Sequence, residues 1–103
     1  MRKRWLGATG LRVPEIAVEG DDLSVEEGQV RVEGQRYAAL IVESATDRLR
    51  IRDSYARGVP VLVRARTAAA VQAALSRPEV ACALVPRSAA HLRELDLRTL
   101  TYG

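Results

Sequence analysis

Three short apolar runs, Ala38–Val42, Val59–Val63 and Val80–Val85, recur along this chain at intervals of about 21 residues. None of them alternates with polar residues, which is the pattern of strands covered on both faces, as in a parallel sheet. Each gap between them is long enough for the crossover helix that parallel neighbours require. In the first gap Ser44, Thr46 and Asp47 are N-cap candidates, and Gly58 supplies the stop. Ile51 and Tyr55, four apart, are expected to face the sheet with Leu49 and Ala56 beside them, leaving Arg48, Arg52 and Arg57 toward water. In the second gap Thr67 caps AAAVQAALS, whose Val71, Ala74 and Leu75 make the inward stripe before Pro78 ends it. The pattern predicts β-α-β-α-β with right-handed crossovers.

The flanks are less regular. Residues 1–12 are charged, contain Gly7 and Gly10, and read as a basic arm. EIAV at 15–18 is a short strand, followed by a Gly20-Asp21-Asp22 turn. LSVEEGQVRVEG then alternates at Val25, Val30 and Val32, with Glu27-Gly28 and Glu33-Gly34 as turn dipeptides, which predicts a small hairpin or meander leading into Tyr37. Past the third run, Ser88 is placed to cap a short helix through Leu92 and Leu95, and LRTLTY to form a fourth strand. The expected organisation is one α/β domain: arm 1–12, acidic hairpin-like segment 13–36, and a βαβαβ core over 37–103 with three to four mostly parallel strands.

Composition changes this picture in two ways. The apolar residues are mostly Ala, Val and Leu, with no Phe and one Trp, so the core is thin and an oligomer or a docked partner would help it. The basic side is 15 Arg and a single Lys, within a net charge of +3. Residues 1–12 carry four positive charges, residues 13–35 a net of −6, and residues 36–103 a net of +5. Arginine suits bidentate phosphate contacts and base stacking, and a GC-rich coding sequence also yields it. The arm and the body are where a polyanion would go, while the acids of the LSVEEGQVRVEG hairpin read as a solvated face. Absence of Asn is compatible with a thermophile. The lone cysteine, Cys82, reads as a small core residue and fits a cytoplasmic location. The MRKRW start lacks the apolar stretch of a secretory signal, and no run approaches the ~20 residues of a membrane span.

Candidate chemistry gathers at the carboxyl ends of the expected strands, where ligands collect in open α/β sheets. Those ends carry Glu43-Ser44, Arg64-Ala65-Arg66-Thr67 and Arg87-Ser88. Arg64, Arg66, Arg87 and Ser88, with Arg2, Lys3 and Arg4 of the arm, are the candidate phosphate- or RNA-binding residues. The alternative is that Ser44, Thr67 and Ser88 only cap helices and the arginines are solvated. Trp5 either stacks on a base beside Arg2 and Arg4 or packs over a core edge. GATG lacks the spacing and Lys of a phosphate loop. His91 is the only histidine, Asp21-Asp22 and Glu26-Glu27 lie in turns, and no nucleophile–base pair or metal cluster can be assembled. Catalytic residues, metals and cofactors are therefore expected to be absent.

The stretch YAALIVESATDRLRIRDSYARGVPVLV resembles the PHP-like barrel subunit of archaeal and eukaryotic ribonuclease P. The likeness rests on Ile41-Val42-Glu43-Ser44, then Leu49, Ile51, Arg52 and Ser54, then Gly58-Val59, followed by the Thr67–Leu75 helix and the Val80–Val85 strand. It covers roughly residues 37–87. The family's barrel is about twice as long, so the resemblance implies half of a TIM-like barrel, truncated and not closed. The segment before Tyr37 departs from the family's helix–strand repeat. The resemblance further implies an RNA-binding, non-catalytic subunit that supports the catalytic RNA in removing 5′ leaders from precursor tRNA, beside a second small protein subunit. VRVEGQRYAALIV also resembles the start of amidotransferase-like flavodoxin folds that serve as accessory domains of some glycoside hydrolases. That likeness implies an oligomerisation or protein-interaction module without nucleic acid.

Overall fold

The fold is built on a four-stranded parallel sheet. A computed structural model describes residues 3–6 and 9–94 of the chain. Its strands are β1 (Lys3–Trp5), β2 (Arg12–Pro14), β3 (Ile16–Val18), β4 (Ser24–Glu26), β5 (Gln29–Val32), β6 (Gln35–Ala38), β7 (Leu40–Val42), β8 (Val61–Arg64) and β9 (Val80–Val85). Its helices are α1 (Arg48–Ala56), α2 (Ala68–Leu75) and a 3₁₀ segment, Arg87–Glu94, which is kinked at Ala89. The sheet runs β3-β9-β8-β7 with every neighbouring pair parallel. The expected unit β7-α1-β8-α2-β9 is present, and the sheet is open. Its fourth strand is β3, laid along the far side of β9. Leu95 and the LRTLTY strand expected at the end lie outside the described residues.

Both faces of this sheet are covered, which is why its strands carry no polar alternation. One face takes Ile16, Val18, Val42, Val61, Val63, Val80, Ala83 and Val85 against Ile51 of α1, Val71, Ala74 and Leu75 of α2, and Ala89 and Leu92 of the 3₁₀ segment. The other face takes Ala17, Leu62, Ala81, Cys82 and Leu84 against Leu6, Val13, Leu23, Val30 and Val32. Leu6 and Val13 come from the β1-β2 hairpin, Val30 and Val32 from the antiparallel meander β4-β5-β6, and Leu23 from the turn between β3 and β4. The layers are therefore helices, parallel sheet, antiparallel sheet. A register shift in β9 pairs Val61 with Val80 but Leu62 with Cys82. The extra residue, Ala81, sends two successive side chains to the meander face, as a β-bulge does.

Several sequence expectations are corrected. The Ala38–Val42 run is two strands in two sheets: Ala38 ends β6, and Leu40 begins β7. Ala39 donates its N–H to the carbonyl of Gly28 at the break. The expected arm over residues 1–12 is not free where the structure describes it, because β1 pairs with β2 and Leu6 is fully buried. In α1 the buried residues are Ile51 and Ser54, while Leu49 is 81% and Tyr55 57% exposed. The serine takes the inward place because its hydroxyl donates to the Val59 carbonyl at 3.2 Å, so a polar group is buried with a partner. Thr67 caps α2 as expected, accepting the Ala70 N–H at 3.1 Å. Asp47 holds the corresponding place in α1 without a side-chain cap. Ser88 caps no helix: the 3₁₀ segment begins at Arg87, and the Ala89 N–H goes to Pro86.

Candidate functional site

The carboxyl end of the sheet gathers the expected arginines. Glu19 follows β3, Glu43 follows β7, Arg64 ends β8, and Arg87 lies just past β9. With Ala65, Arg66, Leu84 and Pro86 they line a cavity of about 420 Å³. Arg64 makes the most ion-pair contacts of its lining residues. Its Nε and Nη2 donate to the two oxygens of Glu19 at 3.0 and 3.2 Å, and its Nη1 donates to Glu43 at 2.8 Å. These hydrogen bonds, Glu19's foremost, raise the Arg64 guanidinium above its ordinary value. Arg87 donates from Nη2 to the Gly20 carbonyl at 2.9 Å. Gly20 has φ +86°, which calls for glycine at this turn; a Cβ there would make only an ordinary contact, 3.5 Å, with that same nitrogen. Arg66 is exposed and has no partner among the described residues. The Ser88 hydroxyl is exposed and makes no hydrogen bond there either.

The other candidates lie at the opposite end. Arg4 is held by the amino end of β9: it donates to the carbonyls of Leu75, Arg77 and Val80 at 2.6, 3.3 and 2.9 Å. Its Nε reaches the buried carboxylate of Glu15 at 3.3 Å. That guanidinium closes the C-terminal turn of α2, with four of its five N–H groups engaged. Lys3 is exposed nearby, and Arg2 lies outside the described residues. The six described candidates thus fall into one group at the carboxyl end, Arg64, Arg66, Arg87 and Ser88, and another at the amino end, Lys3 and Arg4, with the sheet between them.

Around Lys3 and Arg4 lies a larger cavity, about 690 Å³, lined also by Trp5, Tyr55, Val59, Pro60, Pro78 and Val80. Trp5 is 61% exposed, and one face of its ring receives the Arg12 guanidinium at 5.3 Å from the centroid. More than half of its surface is open to solvent, while it lines this cavity beside the buried Val80. The two most exposed aromatic side chains among the described residues therefore share one concavity.

Sequence reasoning missed the acids as partners. Glu15, Glu19 and Asp22, for which no partners were expected, pair with Arg4, Arg64 and Arg93 respectively. The charge segregation along the chain was the available signal, since an acidic segment folded onto a basic body pairs with it. Among the described residues no three His, Cys, Asp or Glu side chains come together as a metal site would need. No helix among them is long and apolar enough to cross a membrane. No family model, curated protein or solved structure matches this chain.

Proposed function

We propose that this chain is a non-catalytic α/β interaction module that works by docking a protein surface onto the amino end of its parallel sheet. The observation that carries this reading is the shared concavity of Trp5 and Tyr55 over the apolar floor of Val59, Pro60, Pro78 and Val80. Exposed aromatics beside an apolar floor are what protein interfaces use as anchors. The thin Ala/Val/Leu core agrees, since a docked surface would add to it. Self-association is the simplest form, and sedimentation of the full chain across a hundredfold concentration range tests it. The module reading expects an assembly that Trp5→Ala with Tyr55→Ala dissolves while near-UV dichroism of the remaining tyrosines persists. A chain that neither self-associates nor retains any protein through these two aromatics would sink it.

A second reading, the RNA-contacting subunit of ribonuclease P, is favoured by one observation: Arg66 and Arg87 face the carboxyl-end cavity without a carboxylate partner. Against it, Arg64 is neutralised by Glu19 and Glu43, and Arg4 is spent on the fold. The sheet face opposite the helices, which a barrel turns to its interior, is covered by the meander. RNA affinity that falls steeply as salt rises, and falls again in Arg66→Ala, would bring this reading forward.

A further inference from the structure

We propose that the carboxyl-end cavity is a site for a phosphomonoester-type dianion, with Glu43 as its exchangeable internal counter-ion. The site is separate from the amino-end docking surface and stands whichever partner that surface takes.

Three guanidiniums and two carboxylates surround one cavity of about 420 Å³, and they are unevenly shared. Glu19 engages the fork of Arg64 with both oxygens, the stronger bidentate geometry. Glu43 makes a single bond to the remaining Nη1. The Glu43 side chain is 73% exposed against 34% for Glu19, and exposed single-bond pairs are weak. Two carboxylates on one guanidinium exceed its charge, whereas Arg66 and Arg87 on the same cavity have none. Arg87 is anchored through Nη2 alone, so its Nε and Nη1 remain to donate.

When Glu43 swings to water, Arg64 Nη1, the two free donors of Arg87 and the whole of Arg66 face the cavity against Glu19 alone. The local balance moves from +1 to +2, the charge of a phosphomonoester dianion. Its three terminal oxygens match guanidinium donors of this kind. A singly charged carboxylate would gain less, because Glu43 already supplies that.

The full chain titrated with ribose 5-phosphate, and separately with inorganic phosphate, at low salt tests this, following the arginine Nε–Hε resonances. The expected result is a saturable shift confined to Arg64, Arg66 and Arg87 with either ligand. Glu43→Gln is expected to tighten binding roughly three- to tenfold, because it removes a competing charge a few ångströms away. Glu33→Gln, the same charge change on a distant turn, leaves affinity unchanged. Arg66→Ala, at an exposed and unpaired side chain, weakens binding about as much without touching the fold. Glu43→Gln binding no tighter than Glu33→Gln would overturn the proposal. So would shifts spread over every exposed arginine, or affinity for RNA with none for ribose 5-phosphate.

Discussion

Arg4 and Cys82 show what single side chains do in so thin a core. Arg4 joins the amino-terminal hairpin to the end of α2 through three carbonyls and Glu15. Replacing it with Met leaves a buried carboxylate and three carbonyls without their donor. The expected loss is about 2–3 kcal/mol, read from urea unfolding; Arg4→Lys keeps the charge but not the fork and should fall between. A Met variant as stable as wild type would mean that water replaces the guanidinium at no cost. Cys82 gives a pH dependence instead. Burial pushes its thiol up from 9.0 to about 12, so the folded chain keeps a proton that the unfolded chain releases. Its contribution is intact below pH 9 and is lost as pH rises from there toward 12. Between pH 7.5 and pH 10 the wild type should lose roughly 1–1.5 kcal/mol more than Cys82→Ala. Equal slopes for the two chains would show that the thiol ionises without unfolding.

At the scale of elements, the second meander turn is the most constrained piece of backbone. Val32 pairs with Gln35, so Glu33 and Gly34 are a two-residue loop, and both have positive φ, 52° and 81°. That is the geometry that matches strand twist in a tight hairpin, and Asn-Gly fits it best. Gly34→Ala meets open space yet should cost about 1 kcal/mol from backbone strain alone. Glu33→Asn should recover a few tenths of a kcal/mol, because Asn tolerates the left-handed region better. Thermal melts of the two variants moving in opposite directions check this; a shared direction would refute it. The turn was legible in the sequence because glycine marks it. The inward stripe of α1 was not, because apolar periodicity selects Tyr55 and Leu49. The residue the fold buries beside Ile51 is a serine, chosen for a hydrogen bond that spacing cannot show. The break at Ala39 was hidden for a related reason. A run of five apolar residues looks continuous whether it serves one sheet or two.

At the scale of the whole molecule, the sequence carried the parallel sheet and its carboxyl-end arginines, because a strand buried on both faces and a helix start leave marks in a few adjacent residues. What covered the second face was not legible, since it depends on Leu6, Val13, Val30 and Val32 meeting β8 and β9 across long stretches of chain. The same long-range pairing turned Glu19 and Glu43 into partners of Arg64. This layering makes the amino-terminal residues part of the core rather than an appendage. Removing residues 1–6 deletes Leu6, which is fully buried, together with Arg4 and the strand that pairs β2. Loss of one buried leucine side chain costs about 2–5 kcal/mol, and the Arg4 contacts add to it, so a domain of modest stability is left with little margin. The shortened chain is therefore expected to melt at much lower temperature, or to lack a cooperative transition altogether, in the absence of any ligand. A true appendage would leave the melting temperature where it was, and calorimetry of the two chains side by side separates the cases. Because no partner enters the measurement, it bears on the three-layer architecture alone, on which the placement of both cavities depends.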